Sequence, residues 1–86
     1  GGSPDFFILD LSDASDYRFK VEFNAARGDI DLRLIHLASE REWWAATHSA
    51  PEVLTIGSGA PRGQYLAVIS LFGAGILEYN LSITRP

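Results

Sequence analysis

Residues 16–36 read DYRFKVEFNAARGDIDLRLIH, and this stretch decides the fold class. Apolar and charged side chains alternate along both of its halves. The apolar positions are Tyr17, Phe19, Val21, Phe23, Ile30, Leu32 and Leu34. Alternation with a period of two is what a β-strand needs when one face is buried and the other faces water. The small and turn-prone residues from Asn24 to Gly28 predict a hairpin between the two strands, so the stretch indicates antiparallel β structure.

The rest of the chain continues in the same manner. We predict seven strands, at Asp5–Leu11, Asp16–Phe23, Ile30–Leu37, Glu42–Thr47, Glu52–Gly57, Gln64–Phe72 and Leu77–Thr84. Short connections rich in Gly, Ser, Asn, Asp and Pro separate them. A spacing of about 8–12 residues from strand to strand is typical of an all-β sandwich or barrel.

The predicted strands differ in how many apolar faces they have. Leu77–Thr84 alternates cleanly, which indicates one solvent face. Gln64–Phe72 has apolar side chains on both faces of the strand, so we expect a central strand whose second face is covered or used for contact. Phe6 and Ile8 add a second apolar face to the first strand, and they predict a partly exposed apolar patch.

Length and composition indicate one small folded domain. The chain has 86 residues, of which 47% are hydrophobic, with two tryptophans, three tyrosines and five phenylalanines. That is enough apolar surface for one thin core. We expect residues 1–4, GGSP, to be a linker or a cloning remnant and residues 5–86 to form the domain.

Charge and residue usage exclude several classes of function. The net charge is −4, and Lys20 is the single lysine. A nucleic-acid partner is excluded because binding needs a basic stripe that releases counterions. Membrane insertion is also not expected, since the apolar run near residue 68 falls far short of the ~20 residues of a transmembrane helix. The absence of cysteine excludes disulfides and thiol catalysis.

Four pieces of the sequence follow the order of a family pattern: FFILDLSDASDYRFKV, GDIDLRL, GQYLAVI and EYNLSI. With them the chain resembles the bacterial pre-peptidase C-terminal domain, an accessory domain of secreted peptidases and other exported hydrolases. The match runs from Asp5 to Thr84. The resemblance implies an antiparallel β-sandwich, jelly-roll-like, with seven to eight strands.

The resemblance also implies a function. Such a domain is non-catalytic, belongs to a longer secreted chain, and acts in substrate binding, targeting or secretion and maturation. Its partners are the parent hydrolase catalytic domain and an extracellular protein or polysaccharide substrate. Two alternatives stay open. One is a protein-protein interaction module of an exported complex, with Phe6, Ile8 and Gln64–Phe72 in its contact surface, and the other is a carbohydrate-binding β-sandwich.

Four aspartates flank the two signature strands, at Asp13, Asp16, Asp29 and Asp31. If the two turns that carry them lie side by side, their carboxylate oxygens suit Ca²⁺, which takes six to eight oxygen ligands. The competing interpretation is structural. In it the first two aspartates cap turns through backbone hydrogen bonds, and the other two lie on the solvated face of a strand.

Trp43 and Trp44 are the strongest candidates for ligand contact. Adjacent residues on a strand point to opposite faces, so one indole is expected in the core and the other at the surface. An exposed tryptophan is typical of binding hot spots. The alternative is that the outer indole only covers a neighbouring arginine, for which Arg41 and Arg62 are candidates.

Catalysis is not expected. His36 and His48 are the two histidines, and neither HExxH nor GxSxG occurs. A zinc site or a catalytic triad needs a histidine beside further ligands or a positioned nucleophile. We therefore predict no catalytic residues in this chain.

Overall fold

A computed structural model describes residues 4–12, 16–46, 50–57, 59–73 and 78–85. These residues form seven strands: β1 (Asp5–Leu11), β2 (Tyr17–Glu22), β3 (Asp29–His36), β4 (Glu42–Ala45), β5 (Glu52–Ile56), β6 (Gly63–Phe72) and β7 (Asn80–Thr84). A single 3₁₀ turn, Ala25–Arg27, lies between β2 and β3. No helix in the described part of the chain is long and apolar enough to cross a membrane.

The strands form two antiparallel sheets that pack as a sandwich, which confirms the predicted fold class. Sheet A has four strands in the order β1-β6-β3-β4, and sheet B has three in the order β5-β2-β7. The predicted central position of β6 is confirmed, since β6 pairs with β1 on one side and with β3 on the other. Only the β3–β4 connection joins strands that are neighbours in one sheet.

The predicted hairpin at Asn24 to Gly28 is wrong. This segment carries the chain from β2 in sheet B to β3 in sheet A. Asn24 shapes the corner, because its side-chain oxygen accepts a hydrogen bond from the Ala26 N–H at 3.0 Å and its carbonyl accepts one from Arg27 N–H at 3.0 Å. The error has a simple cause. A period of two tells which side chains are buried, and this is the same whether two strands lie side by side or face to face.

The core lies between the inner faces of the two sheets. The alternating apolar positions fill it, and those with no exposed surface are Phe19, Val21, Ile30, Leu32, Leu34, Tyr65, Ala67 and Ile69. Sheet B contributes the first two through β2, and sheet A contributes the rest through β3 and β6. Full burial of each large side chain stabilises the fold by about 1.5–3 kcal/mol.

Two tyrosine hydroxyls fasten loops to the sandwich. Tyr65 donates a hydrogen bond to the Pro61 carbonyl, and Tyr79 donates one to the Asp5 carboxylate. Burial raises the pKa of Tyr79, and the hydrogen bond to Asp5 raises it further. Burial also raises the pKa of Tyr65, partly offset by the positive charge of Arg41. Both hydroxyls therefore keep their protons and act as donors at neutral pH.

Candidate functional site

The solvent side of sheet A carries an apolar surface, which we call the outer face. Strand register defines it, because residues opposite one another on neighbouring strands share a face. One row crosses all four strands through Phe6, Val68, Arg33 and Trp44, and the next row runs through Ile8, Leu66, Ile35 and Glu42. Six of these eight side chains are apolar, whereas the outward positions of an antiparallel sheet are usually polar.

Exposure on the outer face follows the position of each strand. Phe6, Ile8 and Trp44 lie on the edge strands and are 59%, 59% and 58% exposed. Val68 lies on the central strand and is only 7% exposed, since its neighbours on the same face cover it. The result is a patch with a closed centre, with Phe6 and Ile8 exposed at the β1 margin and Trp44 exposed at the β4 margin. Patches of this kind mark interaction sites on soluble proteins.

The two tryptophans point to opposite faces of β4, as the sequence predicts. Trp43 faces the core, where the centre of its ring lies 5.6 Å from the centre of the Tyr65 ring. The Arg41 guanidinium carbon lies 5.0 Å from the centre of the Trp43 ring. Trp44 belongs to the outer face, where the Arg33 guanidinium lies 4.9 Å from the centre of its ring. The Nε atom of Arg33 is also 3.1 Å from Glu42 Oε1. Arg33 thereby holds the exposed indole in a defined orientation.

The prediction that Arg41 or Arg62 lies beside the exposed tryptophan is wrong, because Arg41 lies on Trp43 and the partner of the exposed Trp44 is Arg33. Arg33 lies directly opposite Trp44 in the pairing of β3 with β4. The signal was available, because the short connection between these two strands makes them a hairpin, and the register of a hairpin follows from its loop length. Arg62, the other arginine considered, contributes its backbone carbonyl to His36 instead.

The aspartates proposed for calcium are only partly brought together. Asp29 and Asp31 lie at the start of β3, and each has a carboxylate oxygen within 4.8 Å of the other and of Glu52. Glu52 begins β5 in sheet B and is almost fully buried. Three carboxylates supply up to six oxygens, which fits the chemistry of Ca²⁺. Sequence reasoning missed Glu52, although the signal was available, because Glu52 has the same parity as Leu54 and Ile56 on the buried face of β5.

The other two proposed ligands are placed differently. Asp16 lies beside Gly57, at the far end of β5 from Glu52, because Tyr17 pairs with Ile56 and Val21 pairs with Glu52. At about 3.3 Å per residue along a strand, this separates Asp16 from the three carboxylates by roughly 15 Å. Asp16 cannot share an ion with them. Asp13 lies outside the described residues.

His36 has a structural set of contacts. Its ring is buried against that of Tyr65, with 5.0 Å between centroids. Its Nδ1 accepts a hydrogen bond from the Ser39 N–H at 3.1 Å, and the Ser39 hydroxyl lies 2.6 Å from the same atom. Its Nε2 is 2.8 Å from the Arg62 carbonyl and donates to it, since a carbonyl only accepts. The ring thus ties the β3–β4 turn to the loop before β6. His48 lies outside the described residues.

A small pocket opens at one end of the sandwich. It is open to solvent, has a cavity volume of only about 10 Å³, and is lined by Leu11, Tyr17, Ile56, Gly57, Ala60, Pro61 and Tyr65. Sites that enclose small-molecule ligands are usually about 300–1,000 Å³. The outer face of sheet A is therefore the stronger candidate for a functional surface.

No family model, curated protein or solved structure matches the chain. The resemblance of the sequence to the pre-peptidase C-terminal domain stays a prediction, and so does every functional property that it implies.

Proposed function

We propose that this chain is a non-catalytic accessory domain of a secreted bacterial hydrolase, of the peptidase class, that binds protein through the outer face of sheet A. The observation that carries the proposal is the row of side chains from Phe6 to Trp44, in which both end residues are aromatic and exposed to solvent. The order of the four sequence pieces supports the accessory role and the exported parent chain.

The composition of the outer face suits a macromolecular partner. Tryptophan and arginine are enriched among the residues that dominate binding energy at protein interfaces. Trp44 and Arg33 stack on one another at one margin of the face, and the ion pair of Arg33 with Glu42 restricts both. Because these side chains are already ordered, less conformational entropy is lost when a partner binds. A flat sheet surface also fits an extended chain better than it fits a small molecule.

Trp44 supports a second candidate function. A flat exposed indole also stacks on sugar rings, and this favours the carbohydrate-binding alternative. The two candidates share the same residue but differ in the polymer that is retained, so one assay separates them.

The test is retention of the purified chain on insoluble polymers. We expect the chain to sediment with collagen fibres and not with microcrystalline cellulose. Trp44→Ala should weaken retention at least tenfold, the effect of losing a hot-spot side chain. Val53→Ala is the matched control, because Val53 is exposed on the solvent side of sheet B, and it should bind like the original chain. Equal retention of both variants on collagen, or retention on cellulose alone, would contradict the proposal.

Calcium binding at Asp29, Asp31 and Glu52 stays a prediction that the same samples can test. We expect millimolar Ca²⁺ to raise the melting temperature and Asp31→Asn to remove most of that increase, because a ligand that binds only the folded state stabilises it. Asp10→Asn is a suitable control, since Asp10 is exposed and lies at the other end of sheet A from Asp29 and Asp31. An unchanged melting temperature at millimolar Ca²⁺ would refute the prediction.

A further inference from the structure

Within the described part of the chain, strand β1 is an edge strand without the usual protection. Its seven residues pair one to one with β6 and include no bulge, and β6 is its only strand neighbour among the described residues. It contains no lysine, arginine or proline, and its charges are Asp5 and Asp10. Natural proteins usually shield edge strands with such residues, with bulges or with short length, because an open edge presents unpaired backbone N–H and C=O groups.

The other edge of sheet A is built differently. Strand β4 has only four residues, and it begins with Glu42. In sheet B, both edge strands have five residues. β1 is therefore the longest and most apolar edge among the described strands.

Both faces of β1 expose apolar side chains. Phe6 and Ile8 belong to the outer face of sheet A, and Phe7, which points toward sheet B, is still 40% exposed. A second strand placed beside β1 would therefore cover side chains on both faces as well as pair the backbone. Surface with these two properties fits a β-strand partner rather than a helix or a flat protein surface.

We propose that the partner is a second copy of this chain, and that two copies pair antiparallel through β1 into one eight-stranded sheet. A two-fold axis perpendicular to the sheet keeps the outer faces of both copies on the same side. With the axis at Phe7, Phe6 lies opposite Ile8 of the second copy, and Asp5 lies opposite Leu9. Asp10 lies opposite Pro4, so no aspartate faces another. The register therefore places apolar side chains opposite one another on the outer face and avoids opposed like charges.

The side chains that the pairing would cover form a small contact. Phe6, Phe7 and Ile8 together expose about 300 Å² of side chain per copy, given their exposed fractions and the surface of aromatic side chains. Even complete burial of these side chains in both copies gives only about 600 Å², so the contact is smaller than the roughly 1,200 Å² typical of stable complexes. The dimer is therefore reversible and depends on concentration. It does not rest on the proposed function, and it leaves Trp44 of each copy at an outer margin of the eight-stranded sheet.

Sedimentation velocity of the original chain, from about 10 μM to about 1 mM, tests the pairing in the range of weak association. We expect a monomer–dimer equilibrium. Ile8→Lys should raise the dissociation constant at least tenfold, because a lysine there would lose hydration where it lies opposite Phe6 of the second copy. Val53→Lys is the control, on an edge strand of sheet B, and should leave the equilibrium unchanged. A monomer at every concentration, or equal effects of the two lysines, would overturn the proposal.

Cross-linking tests the register, since the chain has no cysteine of its own. Opposite residues of an antiparallel pair have Cα atoms about 4.5–5.5 Å apart, within the range that a disulfide spans. A mixture of Phe6→Cys and Ile8→Cys chains should therefore form the mixed disulfide faster than either variant links to itself. Both substitutions are at exposed positions, and unchanged circular dichroism would show that the variants fold. Linking at the rate of a Val53→Cys control, or fastest linking of Ile8→Cys to itself, would contradict the register centred on Phe7.

Discussion

The solvent sides of the two sheets are opposite in character. Sheet B exposes mainly polar side chains there, which include Arg18, Lys20, Glu22, Thr55 and Ser82. On the outer face of sheet A, two neighbouring rows that cross all four strands are mostly apolar, with six apolar side chains among eight. Both sheets supply one apolar face to the same core, so sheet B has the single buried face that folding requires. The second apolar face of sheet A adds little to that core and is available for a partner.

The difference is clearest at the two central strands. At their middle positions, β6 presents Val68 to the solvent side and β2 presents Lys20. Val68 is nonetheless buried, whereas the lysine is partly exposed and lies 3.9 Å from Glu22. Sheet A thus forms a small second layer of apolar packing on its solvent side, and sheet B forms a weak surface ion pair.

The largest effect that we predict concerns the corner that holds the two sheets together. Gly73 follows β6 with φ +109°, and a Cβ atom there would lie 2.9 Å from the Gly28 Cα and 3.0 Å from the Arg27 carbonyl. Gly73→Ala should therefore lower the free energy of unfolding by about 2 kcal/mol or more, through backbone strain and the clash. Urea denaturation measures the change.

Gly59→Ala is the matched control for this corner. A Cβ at Gly59 meets no atom within 4 Å, so we expect a change of less than about 0.5 kcal/mol. Similar losses in the two variants would show that the corner does not set the relative position of the sheets. The difference between the two solvent faces would then have a cause other than this corner.

A smaller effect tests the second apolar layer directly. Val68→Ala removes two methyl groups from a buried position on the outer face and should cost about 1–2 kcal/mol of unfolding free energy. Lys20→Ala at the corresponding position of sheet B should change it by less than about 0.5 kcal/mol, because surface ion pairs contribute little. Chemical denaturation of both variants side by side gives the answer. Equal costs would mean that the two solvent faces pack alike, contrary to the structure.

The smallest predicted effect is a gain in stability at the hairpin that carries Trp44. Glu40 ends the β3–β4 turn with φ +64°, and its N–H donates a hydrogen bond to the His36 carbonyl at 2.7 Å. Glycine adopts this left-handed conformation without the cost of about 1–2 kcal/mol that other residues incur. Glu40→Gly should raise the unfolding free energy by about 0.5–1 kcal/mol, after the greater entropy of glycine in the unfolded chain is subtracted. Thermal melting measures it.

A binding assay of Glu40→Gly shows whether this turn affects binding as well as stability. Glu40 does not belong to the outer face, so Glu40→Gly should retain the collagen binding that Trp44→Ala loses. A loss of binding in the more stable variant would indicate that the turn itself, rather than the outer face of sheet A, contacts the partner.

Local reasoning succeeded where a property depends on a single strand. Asp5–Leu11 forms the predicted first strand, and Trp43 and Trp44 separate to opposite faces. It failed at Asn24 to Gly28, where the predicted hairpin is a corner between sheets. It also missed Glu52 as a neighbour of the aspartates. Both failures concern the relation between strands that are distant in sequence or that stack across the core.

The sequence by itself determined the fold class, the approximate extent of the strands and the residues that each strand buries. These follow from alternation along the chain, since successive side chains of a strand point to opposite faces. Only the tertiary structure decided that the signature strands lie in different sheets, that Arg33 stacks on Trp44, and that Phe6, Val68 and Ile8 share one solvent face. Such contacts depend on register and sheet order, and many pairings of the same amphipathic strands would satisfy the alternating pattern equally well.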